Sequence, residues 1–398
     1  MTPTTIRGAL LPDRSICDLL LDGGRVTAVA PPGELPSGPS ELDLSGYLLL
    51  PAPAEPHAHL DKAGTWDLAG APPCDLPSAV AAWRHYAEYV TEEDVRVRAR
   101  RTLDDMLANG VTAVRTHADV LPGADPLRGL RALVRLREEL RGRIDLQVAV
   151  LHTDAPDEVL CQAVELGADL LGGCPHLSAD PAAAIERVLR LAEQYGVGVD
   201  LHADENLSPG ATDLRLLADA VRRRPFAGPV TASHCVSLGA TDPQKAAHIA
   251  KETAQAGIGV VALPITNLYL QGRDRPSLTP RGLTAVRPLL EAGVTLAAGG
   301  DNIRDPFNPV GRADPLETAG LLVTAGHLTL DEAAHAVTHG ARSVLGLPAA
   351  GPYEGAVADL LAVRAGSLSE ALGAACPDRI VFKAGRIISR TTMVREFF

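Results

Sequence analysis

The chain has 398 residues, of which 46% are hydrophobic, 22% charged and 3% aromatic, and its formal net charge is −12. That balance supports a large core and lacks the clustered Lys and Arg that phosphate binding needs, so no nucleic-acid partner is expected. The scarcity of aromatics excludes a base-stacking platform and an aromatic membrane belt.

Residues 1–50 contain short apolar stretches separated by turn residues, LLLDGGRVTAVAPPGE (19–34) and SELDLSGYLLLP (40–51), which suit strands joined by tight turns. The opening MTPTTIRGALLPD lacks a basic start followed by an apolar stretch, and no apolar run approaches membrane-spanning length, so a soluble, cytoplasmic protein without membrane attachment is expected. The six cysteines (Cys17, Cys74, Cys161, Cys174, Cys235 and Cys376) show no CxxC spacing, which fits a reducing compartment.

From Leu48 onward eight apolar runs alternate with amphipathic segments. The runs are 48–59, 112–117, 146–152, 169–176, 196–205, 229–234, 258–264 and 294–301. The intervening segments 93–110, 180–196 and 242–257 read as helices, each closed by Gly, the residue favoured just past a helix C-terminus. Repeated βα order implies a parallel sheet with crossover helices. Eight units favour a closed (β/α)₈ TIM-type barrel over an open doubly wound sheet, and such a barrel uses about 250 residues, leaving room for a second unit. After Leu345 short strands return in GAVADLLAV (355–363) and DRIVFKAGRIISR (378–390). The predicted organisation is therefore α/β: a barrel over 51–345 and a small β-sandwich formed from both termini, 1–50 and 346–398.

The ends of the runs carry His57, His59, His117, His152, His176, His202, His234 and Asp301, so seven of the 12 histidines fall there. In a barrel the C-terminal ends of the strands converge on the active-site face. His57 and His59, at i and i+2 on a strand, point to one face and can reach one ion. His202 and Asp301 supply the further ligands that an open catalytic site requires. Glu205, just beyond His202, is the candidate base for a metal-activated water, with capping of the next helix as its alternative role; Asp204 is expected to face the supporting layer. His234 is expected to orient the water. The fourth run lacks the lysine that bridges two ions in related barrels, so a single ion is expected, and His176 at that position is read as a hydrogen-bonding support for the ligands.

These residues resemble the amidohydrolase superfamily, and within it the cytosine deaminase-like branch. The matching stretches are EPHAHLDK (55–62), VRTHAD (114–119), DLHADEN (200–206), VTASH (230–234), NLYLQGRD (267–274), RGLT (281–284) and GGDNIRDPFNPVG (299–311), so the resemblance spans most of the chain. It implies one divalent ion, zinc or iron, held by His57, His59, His202 and Asp301, with Glu205 as proton shuttle and His234 positioning water. The departures fall on substrate recognition. The branch has Pro-Gln where this chain has His152-Thr153, a second aspartate where it has Asn302, and a tryptophan where it has Phe307. Those four residues are the expected substrate contacts.

The expected function is hydrolytic deamination of a small aminated heterocycle or cyclic amidine other than cytosine, with release of ammonia. Hydrolysis of a cyclic amide or an N-substituted ring by the same centre is the alternative, and a non-catalytic metal-binding protein is the third reading. The HxE and PCxxC ligands of the zinc nucleoside deaminases do not occur. Whether the chain is a monomer or a homo-oligomer is open at this level.

Overall fold

A computed structural model describes residues 4–70, 75–210, 212–224, 226–275 and 277–398. Cys74 lies outside them; the other five cysteines are free thiols.

The terminal segments pair into one mixed sheet. Its strands are β1 (Thr5–Leu10), β2 (Ile16–Asp22), β3 (Arg25–Ala30), β4 (Glu41–Asp43) and β5 (Tyr47–Pro51) from the first segment. Near the other terminus lie the strands numbered β14 (Leu360–Arg364), β15 (Arg379–Lys383) and β16 (Arg386–Thr391). The hydrogen-bonded order is β16-β15-β14-β5-β1-β2-β3, with β4 beside β1. The seam between the two termini is the antiparallel pair β5 and β14, with Leu50 opposite Leu361. The far edge curls back: Val26 N donates to Ala356 O at 3.0 Å and Ala358 N to Gly24 O at 2.9 Å. The curl encloses a separate apolar cluster that includes Ile6, Leu19, Leu49, Leu360 and Phe382.

The barrel strands are β6 (Ala54–Ala58), β7 (Ala113–Asp119), β8 (Asp145–Leu151), β9 (Leu170–Gly173), β10 (Gly198–Ala203), β11 (Val230–His234), β12 (Gly259–Ala262) and β13 (Leu296–Ala298). They pair in sequence order and all in parallel. The ring draws shut where Asp301 N donates to His57 O at 3.1 Å, beside a bridge between Ala58 and Asp301. The first apolar run divides: Leu48–Leu50 belong to β5, and the barrel begins at Ala54. Pro51 and Pro53 explain the break, since neither can donate a ladder hydrogen bond.

The crossover helices start and stop as their sequences indicate. Helix Pro181–Tyr195 is capped by the Asp180 carboxylate, which accepts from Ala183 N at 3.0 Å, and it ends at Gly196 with φ of 67°. That left-handed conformation is open to glycine without steric cost. The helical layer and the outer faces of the strands share one large core running from Leu103 through Leu133 and Leu217 to Leu316. Buried ion pairs join it to the terminal sheet, with Arg379 on β15 bound to both oxygens of Asp314 at 2.9 and 2.8 Å. Among the described residues no helix is long and apolar enough to cross a membrane.

Candidate metal centre and active-site cavity

At the C-terminal mouth of the barrel, His57 and His59 leave β6, His202 lies on β10, and Asp301 follows β13. Their donor atoms converge: His59 Nε2 is 3.2 Å from His202 Nε2 and 3.3 Å from Asp301 Oδ1, while His57 Nε2 is 3.6 Å from Asp301 Oδ1. His57 Nε2 and both Asp301 oxygens are buried with no hydrogen-bond partner. Burial pushes all three imidazoles well below their usual pKa, neighbouring cations and histidines adding to the effect, and holds Asp301 well above the carboxylate range. Buried polar atoms left without partners are costly. Three neutral imidazoles and a carboxylate directed at one point fit a divalent cation, which would supply the missing partner.

A polar layer beneath holds the ligands in place. The Ser233 hydroxyl donates to Asp200 Oδ1 at 3.1 Å, and Arg115 Nη1 donates to Asp200 Oδ2 at 2.8 Å. This leaves the Ser233 oxygen to accept from His57 Nδ1 at 2.8 Å, so His57 turns its unprotonated Nε2 toward the centre. Glu55 accepts from His57 N at 3.1 Å and Gly300 N at 2.8 Å, fixing the closure of the ring. Gly299 is required beside it, because a Cβ there would lie 2.1 Å from Glu55 Oε1. His234 (φ 70°) and Asp301 (φ 60°) both occupy the left-handed region, so two residues of the site hold a strained backbone conformation.

Glu205 and Asp204 divide their tasks. The Asp204 carboxylate accepts from Asp213 N at 2.8 Å and Leu214 N at 3.1 Å, so it caps helix Asp213–Arg223. Glu205 instead lines the cavity, its carboxyl 3.7 Å from His234 Nδ1 and raised by burial to about 7. Asn267 Nδ2 donates to His234 Nδ1 at 3.1 Å, which leaves Nε2 carrying the proton. Burial lowers His234 to about 3, so it is a neutral donor.

The cavity in front of these groups has a volume of about 670 Å³. His152, Thr153, Asn302 and Phe307 line it together with Glu205, His234 and three of the four metal-site residues; His57 lies fully buried behind. His152, lowered by burial to about 4, offers one N–H and one lone pair as a neutral ring. Asn302 Nδ2 donates one N–H to Asp305 Oδ2 at 2.9 Å, which leaves its second N–H and its side-chain oxygen for a ligand. His176 also lines the cavity, with Nδ1 3.1 Å from the His202 carbonyl oxygen and 3.5 Å from Asp213.

His117 is placed differently from the other strand-end histidines. It sits beneath His57, ring centroids 4.1 Å apart, fully buried and outside the cavity lining. It could group with His57 and Asp200 around a cation, but the Asp200 carboxylate already binds Arg115, whose fixed positive charge opposes one. Residues that spacing alone did not single out are Ser233, Asp200 and Arg115 beneath the ligands, and Lys62, Trp83 and Asp119 on the cavity wall. Five of these six stand inside the stretches EPHAHLDK, VRTHAD, DLHADEN and VTASH, but no period or spacing marks their contacts.

The amidohydrolase family model matches residues 84–388. A pterin deaminase from Rhizobium rhizogenes is 35% identical over 386 residues, covering 94% of this chain and 88% of that protein. The solved structure of a 5-methylcytosine deaminase from Klebsiella pneumoniae superposes with a TM-score of 0.87 at 28% identity, covering 99% of each chain. That of an N-isopropylammelide isopropylaminohydrolase from Burkholderia multivorans gives 0.83 at 31% identity, covering 98% of this chain and 99% of the other.

Proposed function

The chain belongs to the amidohydrolase family, and from that membership and the geometry of its cavity we propose that it is a metal-dependent hydrolytic deaminase of a small aminated heterocycle, with the pterin ring system as first candidate. The observation that carries this reading is the meeting of His59, His202 and Asp301 with an uncommitted Glu205 carboxyl on one cavity wall, with His57 buried directly behind them. Those four residues would hold one divalent ion, zinc or iron; β9 and the residues after it, LLGGCPH, contain no lysine to bridge a second. Such an ion supplies Lewis acidity and makes a bound water acidic enough to react near neutral pH.

Glu205, in its ionised form, takes a proton from the attacking water and delivers it to the leaving nitrogen. Water oxygen bonds to the ring carbon, the carbon–nitrogen bond breaks, ammonia leaves, and a ring carbonyl remains. His234 donates from Nε2 to the oxygen developing at that carbon and orients the attacking water. The His152 ring, Thr153 hydroxyl and Asn302 carbonyl hold the heterocycle's polar edge, and Phe307 covers its face. We assign the chemistry to residues 51–345 and a supporting role to the terminal sheet, 1–50 and 346–398. The free thiols suit a cytoplasmic setting.

A second reading, removal of an N-alkyl amine from a ring, is favoured by the likeness to the N-isopropylammelide enzyme. Incubation with pterin and, separately, with an N-alkylamino triazine separates the two. Ammonia from pterin supports deamination; alkylamine from the triazine with no ammonia from pterin supports the alternative.

A further inference from the structure

One buried ion pair in the cavity takes no part in the chemistry above. Lys62 Nζ donates to both oxygens of Asp119 at 3.0 Å, and the Trp83 indole N–H donates to Asp119 Oδ2 at 2.6 Å. Asp61 Oδ2 accepts from Asp119 N at 2.9 Å and ties down the end of β7, which carries Asp119. The ammonium lies between two ring faces, 5.2 Å from the centroid of Trp83 and 5.4 Å from that of Phe307. Lys62, Asp119, Trp83 and Phe307 all line the cavity that also holds His59 and Glu205.

A buried ion pair is a poor stabiliser, because removing two charges from water offsets most of their attraction. Its position on a cavity wall points instead to a ligand. Two of the three Lys62 N–H groups are engaged by Asp119, and no other described residue accepts the third. Asp119 already balances the charge, so the pair suits a neutral acceptor, such as a ring carbonyl or ring nitrogen, better than an anion. Trp83 and Phe307 add flat apolar faces on the same wall. A cavity of about 670 Å³ holds more than the single ring that the metal-site residues and Glu205 would engage.

We propose that Lys62, Asp119 and Trp83 form a subsite for the second ring of a fused two-ring heterocycle, with Lys62 donating to a neutral ring acceptor. This rests on the deaminase reading for the placement of the first ring. The test uses full-length Glu205→Gln protein, which should hold its ligand unconverted, and measures pterin binding by quenching of pterin fluorescence and isocytosine by competition. Adding Lys62→Met with Asp119→Asn removes the pair without stranding a charge. Pterin should then bind about 10-fold to 100-fold more weakly, the effect of losing a hydrogen bond to a charged group, while isocytosine moves by less than about 3-fold. Trp83→Leu should give the same selective loss and serves as the reading if the double substitution does not fold. Unchanged pterin binding, equal loss for both rings, or no pterin binding by the Glu205→Gln protein overturns the subsite. Binding that shows the selective loss, in a wild type that releases no ammonia from pterin, supports the subsite and refutes pterin deamination.

Discussion

His57 Nδ1 lies 2.8 Å from Ser233 Oγ, and this contact between β6 and β11 selects which imidazole nitrogen faces the metal centre. Outer partners of this kind typically change metal affinity by about 10-fold to 100-fold when removed. Ser233→Ala should therefore lose its ion to a chelator at a concentration about 10-fold to 100-fold lower than wild type, with the fold intact by circular dichroism. An unchanged chelator midpoint would mean that the ligands hold their geometry without the hydroxyl.

Glu205→Gln keeps the shape of the side chain and removes its proton-carrying function. Turnover should fall by at least about 10²-fold while metal content stays at the wild-type level. Because the carboxylate form is required, wild-type kcat/KM should fall as pH drops below the Glu205 pKa. Burial, offset in part by His176 and Lys62, puts that pKa at about 7, and a bound cation favours the ionised form, so the limb lies at or below pH 7. The limb should be absent from the residual activity of the variant. A limb that persists there belongs to another group.

Asp305 is fully buried, and burial raises its carboxyl to about 6 from an ordinary 3.8. A raised carboxyl favours the protonated form in the folded state. Its contribution is therefore fully present below about pH 4 and is lost as pH rises through 6. Asp305→Asn removes this term, so from pH 4 to 7 the variant should gain on wild type by on the order of 2 kcal/mol, read from paired unfolding curves. A constant difference between the two proteins across that range would contradict the assignment.

The strand-end histidines and Asp301 are legible in the sequence because a parallel barrel brings one end of every strand to the same rim, so position within a run translates directly into position in space. What surrounds them is not. Ser233 and His57 are 176 positions apart, and Lys62 meets Asp119 across 57; such contacts depend on strand register and side-chain direction, which no period encodes. His117 illustrates the converse: it ends an apolar run in the sequence, but β7 continues to Asp119, so His117 sits lower in the barrel, beneath His57 and outside the cavity lining, while His152 directly follows β8 and lines the cavity. The first run reads as continuous because its apolar residues are, and only Pro51 and Pro53 mark where one sheet gives way to the other.

Cytosine should be a poor substrate. At the position where an amide would read both groups of a pyrimidine edge, His152 and Thr153 stand, and Asn302 offers a neutral amide with one N–H already given to Asp305. Each buried polar group left unpaired costs roughly 1–3 kcal/mol, so kcat/KM for cytosine should lie about 10²-fold to 10⁴-fold below that for the best aminated bicyclic ring. Cytosine as the best substrate of a panel, above about 10⁴ M⁻¹s⁻¹, would show that these residues do not set the choice.

The central claim is that one ion, held by His57, His59, His202 and Asp301, supports deamination. Chelator-stripped protein titrated with zinc or iron(II), with ammonia release from pterin as the readout, tests it most directly. Activity should rise linearly and level at one ion per chain, and His59→Ala should show no rise. A plateau at two ions, or no ammonia at any loading, would contradict the account.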